Sequence, residues 1–154
     1  MRPEFIDTPE RTLVGIVGCA SDVAQLDISS MWRRFDAYTD RIDHRLGERT
    51  FAIHVQEPSE PPLHVCLVGF EVNAIGPMAS ELFAKVVPAG RFAVFTWRLA
   101  DGGFDEAFRS AYAWLKDAGI ETAHHFDLQC YDARFKGPDD PESVLEIHVP
   151  VASA

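Results

Sequence analysis

Apolar residues along this chain alternate between two periods, and the changes of period come in the same order twice. Residues 12–18 (TLVGIVG) form a short apolar run bounded by polar residues, as a buried strand does. Ile28, Met31, Trp32, Phe35, Tyr38 and Ile42 then recur at spacings of three and four, the stripe of an amphipathic helix. Asp27 is placed to cap that helix, and Gly47 to help end it. Two strands follow, TFAIHVQ and LHVCLVGFEV. The second half of the chain repeats the order: strand RFAVFTW, helix FDEAFRSAYAWLKDA, strands FDLQCYD and LEIHVPV. Phe108, Ala111, Tyr112 and Leu115 share one face of this second helix, and Gly119 suits the left-handed position after it.

The pattern predicts an α+β fold in a single domain, residues 1–154, with duplicated strand-helix-strand-strand halves over about 12–72 and 91–151. The short connections favour antiparallel strands with the helices on one sheet face. Two such halves related by a pseudo-twofold axis leave a groove between them, where a small molecule can sit. The first eleven residues read as an extended lead-in, with Phe5 and Ile6 free to dock. Residues 73–90 (NAIGPMASELFAKVVPAG) read as the joint between halves, with one short helical turn over Ser80–Val86. The proline-broken stretches EPSEPP and KGPDDPES are exposed loops. Gly15 and Gly18 mark a bulge or a close backbone approach within the first strand.

Alternation within strands assigns residues to faces. Phe51, Ile53 and Val55 oppose His54 and Gln56, and Leu128 and Cys130 oppose Asp127, Gln129 and Tyr131. In the last strand Leu145, Ile147, Val149 and Val151 oppose Glu146 and His148. RFAVFTW is apolar on both sides, with Phe92 and Val94 on one and Phe95 and Trp97 on the other. The apolar sets are expected to pack the helices. The face opposite would then combine aromatic rings, imidazoles and an amide, and be the binding face.

Charge narrows the choice of partner. With net charge −10 and no basic cluster beyond Arg33-Arg34, direct nucleic-acid binding is not expected. Cys19, Cys66 and Cys130 have no paired spacing and fit reduced, mostly buried thiols in a cytoplasmic protein. No apolar run reaches the roughly 20 residues that span a bilayer, so no membrane role is expected. His124-His125 lacks a third ligand at motif spacing, and loop histidines are the simpler account, so no metal is expected. No glycine-rich phosphate loop and no Gly-x-Ser-x-Gly elbow occurs, which leaves no motif for a cofactor or a serine nucleophile.

The order VVPAGRFAVFTWRL, AYAWLKDAGI, FDLQCYD and LEIHVPV, preceded by ISSMWRRF and CLVGFEV, resembles the GyrI-like small-molecule-binding family. That family also supplies the effector-binding domain of AraC- and MerR-type transcription regulators. The resemblance runs from Thr12 to Val151. It implies a groove for an amphipathic organic molecule, aromatic and often cationic, held by stacking around a buried glutamate. Gln129 stands where that glutamate would be, with Tyr131 matching the family tyrosine, so the centre of the groove is more neutral here. Glu71, in the segment matching the family's glycine–acid pair, is the expected substitute, ahead of Asp127 and Glu146.

The function expected is a stand-alone effector-binding domain in a regulatory or drug-sensing role. Its ligand-binding residues are expected to be Gln129, Tyr131, Trp97, Phe95, Glu71, His54 and His148. Trp32 and Trp114 are assigned mainly to the core. Two alternatives stand behind this reading. One is a hydrolase acting on a reactive small electrophile in the same groove, against which Gln129 counts, since an amide is no general base. The other is an interaction protein that inhibits a topoisomerase, with a protein partner in transcription or DNA topology.

Overall fold

The computed structural model describes residues 1–153. They form one antiparallel sheet of eight strands carrying two helices, an α+β fold. In chain order the elements are β1 (Glu4–Thr8), β2 (Arg11–Ala20), α1 (Ile28–Asp36), β3 (Arg45–Glu57), β4 (Leu63–Val72), β5 (Phe83–Val87), β6 (Gly90–Arg98), α2 (Phe104–Asp117), β7 (Phe126–Tyr131) and β8 (Val144–Val151). Across the sheet the order is β1-β6-β8-β7-β3-β4-β2-β5, so β7 and β3 pair at its centre.

The helices begin where the local signals put them. The Asp27 carboxylate accepts from the Ser30 amide at 3.0 Å, satisfying one of the donors that a helix start leaves free. Gly119 takes φ +68° after α2. Other expectations are corrected. Helix α1 stops at Asp36 rather than continuing to Ile42, and a tighter 3-10 turn over Thr39–Arg41 follows. Gly47 does not end it: that residue lies within β3, where the register to β4 shifts between Arg45 and Thr50. The lead-in is a strand, β1, with Glu4 opposite Val94 of β6. The segment expected to make a helical turn is also a strand, β5, with Phe83 opposite Gly15 of β2. A single turn is too short to hold itself as helix, whereas pairing satisfies the outer backbone groups of β2.

The sheet curls strongly. Strands β6 and β2 stand five places apart, roughly 24 Å in a flat sheet. Yet the Arg11 guanidinium of β2 lies 5.1 Å from the ring centre of Phe92 on β6. The concave face therefore fills its own interior: Leu13, Phe51, Ile53, Leu67, Phe92, Leu128 and Cys130 form one buried cluster with no helix against it. Both helices lie on the other, convex face. Ala52, Gln129 and Ile147 stand side by side in register there. Ala52 belongs to the cluster under α1 with Met31 and Phe35, and Ile147 to the one under α2 with Ala107, Ala111 and Leu115.

This corrects the assignment of faces. Phe51, Ile53, Leu128 and Cys130 do not pack the helices; they line the concave interior together with Glu146 and His148. Leu145, Ile147 and Val149 do pack a helix, α2. The polar set of β3 and β7 shares the helix face. Where β2 crosses β4, Gly15 faces Gly69, and a Cβ on Gly15 would stand 1.8 Å from the Val68 carbonyl oxygen.

Candidate functional site

Helices α1 and α2 stand on either side of the central β7–β3 pair without closing over it. The space between them is a cavity of about 1430 Å³, larger than the roughly 300–1,000 Å³ of ordinary small-molecule sites. Helix α1 lines it with Ile28, Trp32 and Phe35, and α2 with Phe104, Phe108 and Tyr112. The floor is His54 and Gln56 of β3 with Asp127, Gln129 and Tyr131 of β7. Pro58 and Pro62 come from the proline-broken loop, Leu63 from the start of β4, and Phe135 and Pro138 from the segment after β7. Among the lining residues are five carboxylates (Asp36, Glu48, Glu57, Asp105, Asp127) and two guanidiniums (Arg33, Arg109), so the cavity carries a negative balance.

Tyr131 sets the aromatic wall. Trp32 meets its ring edge-on at 5.5 Å between centroids, and Phe135 does so at 4.7 Å. Phe104 continues the wall at 6.3 Å from Phe135, linking one helix to the other through rings. The Tyr131 hydroxyl donates to Oε1 of Gln129. Burial pushes the Tyr131 hydroxyl far above its ordinary range, so it remains a neutral donor. Gln129 is itself buried, and its amide nitrogen has no protein partner among the described residues.

A second polar group lies two residues back on the same strand face. Asp127 sits opposite His54 in register. Its Oδ2 accepts from the Tyr112 hydroxyl at 2.6 Å, whereas Oδ1 is buried with no donor. Burial raises the Asp127 carboxyl to about 6, with the Tyr112 bond opposing the rise. His54 moves the other way, to about 4, because burial and the nearby His64 disfavour its charged form. Its Nε2 lies 3.8 Å from Sγ of Cys66. That thiol is raised by burial to about 12 and is no nucleophile.

Of the residues expected at the site, Gln129, Tyr131 and His54 come together in the cavity. Phe95 is fully buried beneath α2, 5.9 Å from Trp114. Trp97 packs in the same cluster and donates its indole N–H to the Gly102 carbonyl at 2.9 Å. Neither lines the cavity. Glu71 and His148 are on the concave face, Glu71 opposite Leu13 and His148 opposite Leu128. Strand β6 is apolar on both sides because α2 covers one face and the curled interior the other; no ligand is needed to explain its aromatics.

Trp32, Phe104, Phe108, Tyr112 and Phe135 are among the lining residues that sequence reasoning did not place at the site, and Asp127, ranked there behind Glu71 as a source of charge, lines it while Glu71 does not. The signal for Asp127 was present in its alternation with Gln129 and Tyr131. Trp32 was given to the core because helical periodicity cannot separate a residue facing the sheet from one facing a gap beside it.

On the concave face Cys130, Glu146 and His148 bring donor atoms within 4.8 Å of one another. The Glu146 carboxylate is already held by His148 at 2.8 Å and Arg134 at 2.7 Å, which lowers its pKa to about 2. Burial meanwhile raises the Cys130 thiol to about 12. The group is a carboxylate already committed to Arg134 and His148, beside a protonated thiol. His124 stacks on Phe126 at 5.4 Å and, with His125, lies in the loop at the cavity edge.

A curled antiparallel sheet with a large aromatic-walled cavity between two helices is the architecture of a small-molecule-binding domain. The GyrI-like small molecule binding domain matches residues 1–152, and the chain belongs to that family. It is 29% identical over 153 residues to the transcriptional regulator BrlR of Pseudomonas aeruginosa, spanning 98% of this chain and 56% of that one. The chain thus covers about half the length of the curated relative it matches. Among solved structures, SAV2435 bound to tetraphenylphosphonium superposes with TM-score 0.76 at 16% identity, over 99% of this chain and 95% of that one. A hydrolase from Listeria innocua does so with TM-score 0.60 at 14% identity, over 98% and 92%. At such identities the likeness is one of fold alone. No helix among the described residues is long and apolar enough to cross a membrane.

Proposed function

We propose that this chain is an effector-binding domain that takes an amphipathic organic molecule, aromatic or cationic, into the cavity between α1 and α2. Its role would be regulatory or drug-sensing. The observation that carries the reading is the wall of rings from Trp32 through Tyr131 and Phe135 to Phe104 around a buried Gln129 whose oxygen is held by Tyr131. Such a wall offers stacking surface, and the negative balance of the lining favours cations. The site also fits the expected duplication: exchanging 12–72 with 91–151 maps the strand order onto itself read from the other end. The β7–β3 pair then lies at the junction of the halves, beneath the cavity. The relation to a transcriptional regulator and to a structure holding tetraphenylphosphonium supports the same view.

The test is thermal stabilisation by a panel of tetraphenylphosphonium, aromatic amines, cationic dyes and neutral aromatics, read beside tryptophan emission. Binding should raise Tm and quench the emission of Trp32, and Trp32→Phe should abolish the quenching while Trp97 and Trp114 still emit. No shift with any compound overturns the reading.

A hydrolytic reading is favoured by the placement of Asp127, a buried cavity carboxyl with Oδ1 free of a donor, which burial raises to about 6, within the range of a general base. Glu71, half-buried on the other face, is not placed for that work. Turnover of an epoxide or activated ester that is lost in Asp127→Asn would support hydrolysis, and binding without turnover would exclude it for those substrates.

A further inference from the structure

Gln129 is neutral and its oxygen is occupied by Tyr131. Of the five lining carboxylates only Asp127 is buried, and it lies two residues along β7 from Gln129 on the same face, roughly 7 Å away along the strand. Only 6% of Asp127 is exposed. One of its oxygens is bonded to the Tyr112 hydroxyl and the other has no donor at all. Among the described residues no cationic side chain partners it: the lining guanidiniums, Arg33 and Arg109, are both exposed, and Arg109 is committed to Glu106 at 2.6 Å. A buried carboxylate oxygen without a donor is rare in native structures and points to a partner that arrives from outside. Delocalised cations answer only the charge. A carboxylate also asks for an N–H or O–H directed at its lone pairs, and a charge-assisted hydrogen bond is about twice as strong as a neutral one.

We propose that the cavity selects ligands that carry a protonated amine with at least one N–H, bound by Asp127 beside Tyr112, with an aromatic body lying against Tyr131 and Trp32. This rests on the reading that the cavity takes an organic ligand, and it names the ligand class. Tyr112 is the movable part. It is 38% exposed, stands on α2 rather than in the sheet, and its hydroxyl covers the carboxylate. Turning it aside opens Asp127 to the ligand, whose N–H takes the place of the hydroxyl on the carboxylate. The free amide nitrogen of Gln129 adds a preference for a hydrogen-bond acceptor on the aromatic body. With the neutral Gln129 in the middle of the floor and Asp127 at its end, the cation lies to the side of the ring wall rather than at its centre. The ring wall is then left to the neutral part of the molecule.

Calorimetry at pH 8 with three matched probes, naphthylmethylamine, naphthylmethyl-trimethylammonium and naphthylmethanol, tests this on the wild-type chain, with tetraphenylphosphonium as a further probe. The amine should bind at least about tenfold more tightly than the trimethylammonium compound and the alcohol. In Asp127→Asn, an isosteric change, that ratio should fall to about one, while tetraphenylphosphonium loses less affinity than the amine. Equal or tighter binding of the trimethylammonium probe overturns the proposal and leaves the cavity reading intact. So does an amine preference that Asp127→Asn leaves unchanged. Failure of all four probes to bind overturns the cavity reading, and this proposal with it.

Discussion

His54 and Asp127 face each other across β3 and β7, and burial shifts them in opposite senses. His54 titrates at about 4 when folded against 6.5 for a free histidine, so the unfolded chain takes up its proton first. Stability from that group is full above pH 6.5 and is lost as pH falls toward 4. Asp127 titrates at about 6 against 3.8, so here the folded chain is protonated first. Its burial penalty is present above pH 6 and is relieved as pH falls toward 4. Each effect amounts to at most about 3 kcal/mol, and they oppose one another over the same window. Unfolding in urea across a pH series should therefore find the wild type nearly flat between pH 6 and pH 4. Asp127→Asn should lose stability steeply over that window, and His54→Gln should gain it. Two variants that both run parallel to wild type would show that neither group is titrating as its burial demands. Both residues were legible as members of a polar strand face. Their opposition was not, because it depends on which strands become neighbours and on the helices that flank them.

At the scale of elements, the two helices and six of the strands were readable from periodicity and caps, because each carries its own apolar set. The edge strands β1 and β5 were not. Their side chains are largely exposed, and what makes them strands is the pairing offered by β6 and β2. The close approach hinted at by Gly15 is real and is set by its partner. A Cβ on Gly69 would stand 2.1 Å from the Val14 carbonyl oxygen, as one on Gly15 would from that of Val68 at 1.8 Å. These neighbours are backbone and cannot rotate away. Gly69→Ala should accordingly cost about 3 kcal/mol or more, beyond the usual range for one added methyl group. Gly103→Ala, where a Cβ meets nothing within 4 Å, should cost far less. Similar thermal shifts for the two variants would mean that β2 and β4 can part without penalty, contrary to their tight crossing.

The whole molecule is organised by curvature, and curvature is what the residue pattern conceals. Alternation separates two faces but does not say that one of them closes on itself. The expected rule, one face for helices and one for ligand, was therefore inverted: the interior needs no helix, and the cavity lies where the helices fail to meet. The closure can rest on apolar packing or on charge, and Arg11 separates the two. Its side chain reaches across the curl to Phe92, but only 9% of the residue is exposed, and its Nε and one terminal nitrogen have no acceptor. Burial lowers its pKa, and Glu71, itself half-buried, compensates only in part. A buried guanidinium with unmet donors contributes little net stability beyond its packing. Arg11→Met keeps an unbranched apolar stem while removing the desolvated charge and its contact with Phe92, and should leave stability unchanged or raise it by about 1–3 kcal/mol. Phe92→Ala removes the packing and should cost about 3–5 kcal/mol. Denaturant unfolding of both variants at one pH decides the matter. Equal losses would mean that the curl is held by the cation as much as by the ring. A loss confined to Phe92→Ala would place the closing force in the apolar interior that Leu13, Phe51, Ile53 and Leu128 share with it.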